Sequence, residues 1–365
     1  MWYNSVMLLA RYLSFQLVGP FLFGLSFFSG VLLLDKFFDI VDLLINRGVS
    51  LAMSVRVFLL FFPSVLSLSI PMSLLLACLL VFGRLSEDHE LTALRASGLS
   101  FAQILWPPLA WAVCLFAFLI PFNATWSPRS VSAFRGLYHE IAKQDPLVKI
   151  EPGQFTPLRD VRIYARRVDR VRDTLSDVWV YRRINGRSQR VYARTGVART
   201  DGGAFTLNLS EGQIERFSPD RPQDVVHIRF KQYTLQVPLG EPVDPRSRSW
   251  RELTSRELSE EILRRRRENG PAGEVLAEYH LRIAVAFAPL ALALLGISLG
   301  ITMERGGRGV GFGAATGVLF GYYLLLTLGL SLADREAMPA FPALWMANAV
   351  TLLAGGILYY RRVLR

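Results

Sequence analysis

Six long apolar runs constrain the fold of this chain more than any other feature of its sequence. Each run contains about 20 mostly apolar residues, which is the length that an α-helix needs to cross the hydrocarbon core of a bilayer. Hydrophobic residues make up 52% of the 365 residues and charged residues 19%, so the polar residues are concentrated between the runs. This pattern predicts an α-helical membrane protein with six transmembrane helices. The runs cover residues 12–34, 57–82, 101–122, 283–301, 310–332 and 341–360.

The sequence between the third and fourth runs has a different period. Apolar and polar residues alternate in several short segments, including residues 161–166 and 225–237. Asn185-Gly186 is typical of a tight turn between antiparallel strands. Several short strands at this spacing predict an inserted β-sandwich or jelly-roll domain.

The chain therefore divides into four predicted parts. Residues 1–128 contain the first three transmembrane helices and a short cytoplasmic helix over 86–97. Residues 129–240 form the β-jelly-roll domain, residues 241–280 a linker and an amphipathic helix, and residues 281–365 the last three transmembrane helices. The amphipathic helix carries four consecutive arginines, which form either a solvated helix face or a contact with lipid phosphates.

Arginines in the short loops predict the orientation of the chain. In a six-span arrangement these arginines all fall on one side, which the positive-inside rule makes cytoplasmic. Both termini are then cytoplasmic, and the β-domain lies on the opposite side. The net charge of +11 suits anionic lipid as a partner better than nucleic acid in a chain with many spans. The arginines are Arg11, Arg84, Arg95, Arg305, Arg308, Arg361, Arg362 and Arg365.

The polar segment between the second and third runs reads as a short capped helix. Ser86 is a candidate N-cap, and acidic residues that include Glu87 and Glu90 occupy the first turn, near the positive end of the helix. Gly98 is a candidate C-terminal stop. Leu91 and Leu94 share one face of this helix. The residues alone fit a docking helix or an ordinary cytoplasmic loop with one helical turn.

Three strings of residues resemble one known family. The sequence Glu90-Leu-Thr-Ala-Leu-Arg-Ala-Ser-Gly98 resembles the coupling-helix motif of the LptF/LptG permeases of the lipopolysaccharide-export ABC transporter. The string from Glu278 to Arg282, Glu-Tyr-His-Leu-Arg, resembles the F-type member, and Lys36-Phe-Phe-Asp39 resembles the G-type member. The plan of six spans with one large insertion matches the family across the whole chain.

The resemblance implies a set of partners and a location. A permease of this family works with a second permease, a dimeric cytoplasmic ATPase and a periplasmic bridge protein that has a membrane anchor. Its substrate is lipopolysaccharide, and its place is the inner, cytoplasmic membrane of a bacterium. No nucleic acid is implied.

The resemblance also assigns roles to particular residues. It implies that the short helix contacts the ATPase through Glu87, Glu90, Leu91, Leu94 and Arg95. It implies that Lys36, Phe37 and Asp39, at the outer end of the first span, bind lipid, with the lysine meeting a lipopolysaccharide phosphate. Without the resemblance, Lys36 and Asp39 fit either a functional site, because ionisable residues near membrane depth are costly, or the end of a helix that emerges into water.

Glycines recur at every fourth residue of the fifth run. Small residues at this spacing form a groove that lets a second helix approach closely. We expect the groove to be either a helix–helix seam that slides or opens as a gate, or a site of static packing. The glycines are Gly309, Gly313, Gly317 and Gly321.

Motifs for bond chemistry do not occur in convincing contexts. The chain has no phosphate-binding loop, so ATP and Mg²⁺ are expected on the partner ATPase and no cofactor on this chain. Ser298 lies in a nucleophile-elbow pattern within an apolar run, without a His or acid partner. The four histidines are scattered, so no metal site is predicted. Cys78 and Cys114 both lie in apolar runs and are expected to be small buried hydrophobes.

Three other functions compete with a lipopolysaccharide permease. One is a permease of the same architecture that exports another envelope lipid. The second is a non-transporting membrane scaffold whose β-domain holds partners, and the third is an intramembrane enzyme. The lack of a catalytic constellation argues against the enzyme, and the capped docking helix argues against the scaffold.

Overall fold

The computed structural model describes residues 2–45, 51–144, 150, 152–158, 161–169, 172–184, 187–201, 204–217, 225–238, 249–268, 270–302 and 307–361. The chain forms two compact units. We call them the helical unit (Met1–Phe38, Phe58–Ala133 and Ser249–Arg365) and the β unit (Asp39–Val57 and Phe134–Arg248).

The helices follow the six apolar runs, and four of them extend beyond their runs at both ends. Six helical stretches are long and apolar enough to cross a membrane, in agreement with the six predicted spans. A π-helical turn, Phe122–Trp126, joins α4 to α5, and a 3-10 turn, Trp250–Glu252, precedes α6. The helices are α1 (Trp2–Ile45), α2 (Leu51–Glu87), α3 (Glu90–Ala96), α4 (Phe101–Pro121), α5 (Ser127–Gln144), α6 (Ser255–Arg267), α7 (Gly273–Thr302), α8 (Gly307–Asp334) and α9 (Ala340–Tyr359).

Glycines bring the central helices of the helical unit into close contact. A Cβ atom on Gly300 of α7 would lie 2.8 Å from the Cβ of Phe82 on α2. A Cβ on Gly355 of α9 would lie 3.0 Å from the backbone nitrogen of Leu295 on α7. Lipid tails are as apolar as leucine, so membrane helices associate through close packing of this kind rather than through the hydrophobic effect.

Buried polar side chains join the same helices. The amide of Asn348 on α9 donates to the carbonyl of Ala284 on α7 (2.9 Å), and its Oδ1 accepts from the hydroxyl of Tyr322 on α8 (3.0 Å). The hydroxyl of Tyr323 donates to the carbonyl of Leu68 on α2 (3.1 Å). Because a polar group without a partner is costly in this environment, these bonds fix how the helices face one another.

The β unit contains one antiparallel sheet of six strands in chain order. The predicted insertion of strands is confirmed, but the described strands form a single meander rather than the strand order of a jelly roll. The insertion also begins with helix α5, and its first described strand starts at Phe155. The strands are β1 (Phe155–Leu158), β2 (Val161–Asp169), β3 (Thr174–Ile184), β4 (Arg187–Asp201), β5 (Ala204–Phe217) and β6 (Val225–Pro238).

The sheet bends across one row of charged residues. At this row the regular pairing of β2 to β6 is interrupted, and Asp177 and Glu211 adopt left-handed backbone conformations (φ 51° and 55°). Ion pairs of 3.4 Å and 3.6 Å join neighbouring strands along the row. The row consists of Arg166, Asp177, Arg194, Glu211 and Lys231.

The bend lets the sheet enclose its own apolar face. On β3 the inward-facing residue changes from Leu175 to Val178, a step of three where a flat strand would step by two. The other long strands make the same step at this row, and among the described residues no helix contributes to the core of the unit. A single bent sheet therefore buries apolar side chains as the two sheets of a sandwich would.

Candidate functional site

Helix α3 begins later than the sequence predicts. Helix α2 continues through Ser86, whose buried hydroxyl donates to the carbonyl of Ile301 on α7 (3.1 Å). The predicted N-cap role of Ser86 is therefore wrong, because its hydroxyl finds a partner on a neighbouring helix. The chain breaks at His89, which has a left-handed backbone (φ 56°), and α3 starts at Glu90. The predicted stop at Gly98 is confirmed by its φ of +91°.

The predicted coupling residues on α3 contact their own chain, although Arg95 is also exposed. A carboxylate oxygen of Glu90 accepts a hydrogen bond from the hydroxyl of Tyr12 on α1 (2.7 Å). Leu91 is only 5% exposed, and Leu94 packs against the same apolar cluster. The guanidinium of Arg95 lies 4.4 Å from the ring centroid of Phe101 at the start of α4. Together these contacts tie α3 to α1 and α4.

The outward face of α3 is small and open. Thr92, Ala93 and Ala96 are exposed on it, so a partner can approach the helix backbone closely. The sequence analysis did not identify Tyr12 as the partner of Glu90, because the two residues are 78 positions apart in the chain. Its aromatic ring with a polar tip at the start of an apolar run is a typical sign of a membrane–water interface.

Glu87 lies apart from the other coupling candidates. It ends α2 and is exposed, and it lines a cavity of about 480 Å³ between α1, α2 and α8. Gln16 and Arg84 also line this cavity, and Arg84 lies 3.9 Å from Asp88. Three charged side chains, Arg84, Glu87 and Asp88, line the cavity together with apolar residues of α2.

The predicted lipid-binding residues are only partly described. Lys36 and Asp39 lie within α1, but their side chains are outside the described residues. Phe37 is 52% exposed, and its ring lies 6.2 Å from that of the exposed Phe38. A binding arrangement of Lys36, Phe37 and Asp39 therefore stays a prediction.

The predicted glycine groove of α8 packs against nothing in the part of the chain that the structure describes. A Cβ atom on any of its four glycines would meet no described atom within 4 Å. Other glycines of α8 do pack: a Cβ on Gly311, two positions from Gly309 and from Gly313, would approach Leu79 and Leu80 of α2, both at 3.2 Å, and Gly329 lies against the backbone of Ala343 on α9. The open glycines are Gly309, Gly313, Gly317 and Gly321.

The groove belongs to a larger open face on α1 and α8. Within their most apolar stretches, 33% of the residues of α1 and 28% of those of α8 are buried, close to the 33% of the spans that contain α4 and α9 and against 72% for both α2 and α7. Phe15 of α1 and Phe320 of α8 are among the most exposed side chains. The rings of Phe27 and Phe312 touch across the two helices (5.3 Å between centroids).

The string around Arg282 forms an internal support. The buried guanidinium of Arg282 donates to Glu278 (2.9 Å), to the carbonyl of Leu253 (2.6 Å) and to that of Trp250 (3.0 Å). Its own carbonyl accepts from the amide of Asn123 (3.3 Å), which is on the π-helical turn. The ring of His280 packs edge-on against Phe341. This cluster fixes the segment before α6 to the end of the helical unit that is opposite α3.

Two predictions about reactive groups have different outcomes. Cys78 is buried as expected, but Cys114 is exposed on α4, so the expectation that it is buried is wrong. Hydropathy cannot separate a lipid-facing position from a buried one, because both are apolar. The hydroxyl of Ser298 is buried without a hydrogen-bond partner in the described part of the chain, so no catalytic base accompanies it there.

Comparison with known proteins places the chain in a family. Residues 11–361 match the family described as the lipopolysaccharide export system permease LptF/LptG. A comparison with curated protein sequences gave no significant match. The six candidate spans and the family together make this a multi-pass membrane protein that acts as a permease in the Lpt transport system. Because the match extends over essentially the whole chain, the protein belongs to the LptF/LptG family of lipopolysaccharide export permeases.

Proposed function

We propose that this chain is a permease subunit that extracts lipopolysaccharide from the inner membrane and passes it to a periplasmic bridge. The family match supports the substrate. The observation that carries the proposal is the open face of α1 and α8, where an apolar surface and a row of glycines lack any partner among the described residues. A row of glycines that faces only lipid provides no close helix packing, whereas a helix of a second chain can approach such a row closely.

The open face fits a second permease of the same family. Two chains that meet through α1 and α8 would enclose a space between them, lined by the aromatic side chains of both helices. Acyl chains suit such a lining, and Lys36 and Asp39 at the outer end of α1 would meet the phosphorylated headgroup. Both termini and α3 lie on the cytoplasmic side in this arrangement, and the β unit lies in the periplasm.

Helix α3 would transmit the conformational change of the ATPase to the membrane-spanning helices. Its exposed face of Thr92, Ala93 and Ala96 would seat in a groove of the dimeric cytoplasmic ATPase, which binds ATP and Mg²⁺. Because Glu90 holds Tyr12 and Leu91 lies in the core, a displacement of α3 would move α1 directly. ATP binding can drive expulsion of the lipid only if the closed ATPase dimer favours the collapsed cavity.

The β unit would pass the lipid onward. Strand β6 pairs with β5 on one side, and among the described strands its other edge is open. An exposed edge of 14 residues is a template for an added strand from a bridge protein. Strand addition would continue the enclosed apolar face of the sheet into the bridge, which is anchored in the membrane by its own helix.

Native mass spectrometry of the complex tests this proposal. The complex is purified gently from its own membranes through a tag on this chain. We expect a second permease, two ATPase copies and a bound lipopolysaccharide mass. If the complex contained an ATPase and another lipid, the chain would still be a transporter permease, and its substrate would be that other envelope lipid. An intact complex without any ATPase would overturn the transporter and leave a membrane scaffold.

A further inference from the structure

Helix α6 lies at one end of the membrane-spanning helices. Its buried residues Leu258 and Ile262 pack against Val275 in the first turn of α7. About 19 residues of α7 separate Arg282, near α6, from Ile301, near α3, which corresponds to about 28 Å of helix and so to one hydrocarbon core. Helix α6 also packs on the π-helical turn that carries Trp126, a side chain 61% exposed. An exposed tryptophan at the end of a span marks the membrane–water interface.

The four arginines of α6 fall into two pairs with different surroundings. Arg264 and Arg265 both bond Glu261 (2.7 Å and 3.1 Å), and Arg265 also stacks on Trp250 and donates to the carbonyl of Pro271. Arg266 and Arg267 are exposed, and no acidic side chain among the described residues lies within ion-pair distance of them. The first pair therefore stabilises the helix, and the second pair is available to a ligand.

An apolar side chain stands beside the free pair. Leu263 is 54% exposed and lies three and four positions before Arg266 and Arg267, so all three share one face of the helix. Of the described acids near this face, Glu260, three positions before Leu263, is bonded to Arg256 (3.2 Å), and Glu268 stands at the helix end, so Arg266 and Arg267 leave an excess of positive charge there. Two guanidinium groups beside a protruding leucine at interface depth match a phosphate above the start of an acyl chain.

We propose that Leu263, Arg266 and Arg267 form a docking surface for an anionic phospholipid of the surrounding leaflet, with phosphatidylglycerol as its chemical type. The two guanidinium groups bind the headgroup phosphate, and the leucine inserts among the acyl chains. The bound lipid holds α6, and through Arg282 the segment before it, at a fixed depth. This inference requires only that the chain spans a membrane, and it does not depend on which lipid is transported.

Lipid titration followed by native mass spectrometry tests the surface. The full chain, with the subunits that purify with it, is titrated with phosphatidylglycerol or with phosphatidylcholine of the same acyl chains. We expect preferential binding of phosphatidylglycerol. The double variant Arg266→Gln, Arg267→Gln should bind it roughly 30-fold more weakly, since each arginine near an anionic surface contributes about 1 kcal/mol. Leu263→Ser should weaken binding of both lipids.

A matched control removes the same charge from paired positions. Arg194→Gln, Arg264→Gln alters two exposed arginines that are ion-paired with Glu211 and Glu261, and it leaves the pair of Arg256 and Glu260 intact. This variant should retain phosphatidylglycerol. Equal binding by all three proteins, or equal binding of the two phospholipids, would overturn the proposal. Loss of a bound lipopolysaccharide rather than phosphatidylglycerol in the first variant would also overturn it, and would assign the surface to the transported lipid.

Discussion

Helices α2 and α7 lie inside the helical unit, whereas α1 and α8 lie at its surface, although all four are apolar along most of their length. The difference is clearest at their glycines. Gly296 and Gly300 of α7 lie against the backbone of α2, while Gly313 and Gly317 of α8 face open space. Glycine therefore allows close packing of helices inside the chain at α7, and at α8 it leaves an open surface for another chain.

The largest effect is expected from a side chain placed in the closed interior. Gly300→Leu would force its Cβ to within 2.8 Å of the Cβ of Phe82 and 3.0 Å of the backbone nitrogen of Gly83. Overpacking of this kind costs roughly 1–3 kcal/mol or more, and here a backbone atom cannot yield. We expect the thermal aggregation midpoint in detergent to fall sharply. Gly313→Leu, at an open position, is the control, and equal midpoints would refute the contrast between the two helices.

A side chain on the open face should impair assembly instead of folding. Gly317→Leu meets no described atom within 4 Å, so the single chain should keep its thermal midpoint. Because the leucine would hold a partner helix away, we expect loss of co-purification with the second permease. Gly356→Leu, which is also at an open glycine but on α9, should pair normally. Normal pairing and transport by Gly317→Leu would show that the row of glycines faces only lipid.

The contact between α1 and α3 should control coupling. Glu90→Ala removes the acceptor for Tyr12, and we expect lipid-stimulated ATPase activity of the complex to fall roughly fivefold or more, as for a typical coupling energy. Tyr12→Phe should reproduce much of this loss if Glu90 acts through α1. Tyr360→Phe, at an exposed tyrosine, is the control.

The two variants separate two roles of Glu90. A loss with Glu90→Ala but not with Tyr12→Phe would mean that the carboxylate contacts the ATPase directly. Unchanged activity in both variants would remove Glu90 from coupling altogether. Membrane insertion of both proteins, measured by the yield of folded chain, distinguishes these outcomes from misfolding.

The smallest effect is expected at a polar contact inside the closed interior. Asn348→Leu removes the bonds to Tyr322 and to the carbonyl of Ala284. Hydrogen bonds between membrane helices contribute roughly 0.6 kcal/mol on average, so the free energy of unfolding should fall by about 1 kcal/mol in an equilibrium unfolding experiment. Tyr322→Phe should show about half of this loss. A loss as large as that of Gly300→Leu would show that polar contacts rather than glycines close the interior.

Some features of the candidate site could be predicted from the sequence, and others could not. The stop at Gly98 is local, so a sequence pattern indicates it. Ser86 looked like a cap, but its partner is the carbonyl of Ile301, 215 positions away. Local patterns carry no information about such a partner.

The β unit shows the same limit. Alternation of apolar residues and the turn at Asn185-Gly186 predicted antiparallel strands, and Ile184 indeed pairs with Arg187. In each of the five long strands, two successive inward-facing residues lie three positions apart instead of two, as Leu175 and Val178 do. This disturbs the alternation of apolar and polar residues only slightly. Only the register brings the five steps into one row, and that row turns a flat meander into an enclosing sheet.

The sequence by itself determined that this chain has six apolar spans, a β insertion and a short helix between the second and third spans. Chain length, hydropathy and turn residues act locally, so they need no knowledge of neighbours. The tertiary structure alone decided which apolar faces are buried and which stay open, and that Glu90 holds Tyr12. It also decided that Arg264 and Arg265 pair with Glu261, while Arg266 and Arg267 have no acidic partner among the described residues. In a membrane, inward and outward faces are equally apolar, so only packing distinguishes them.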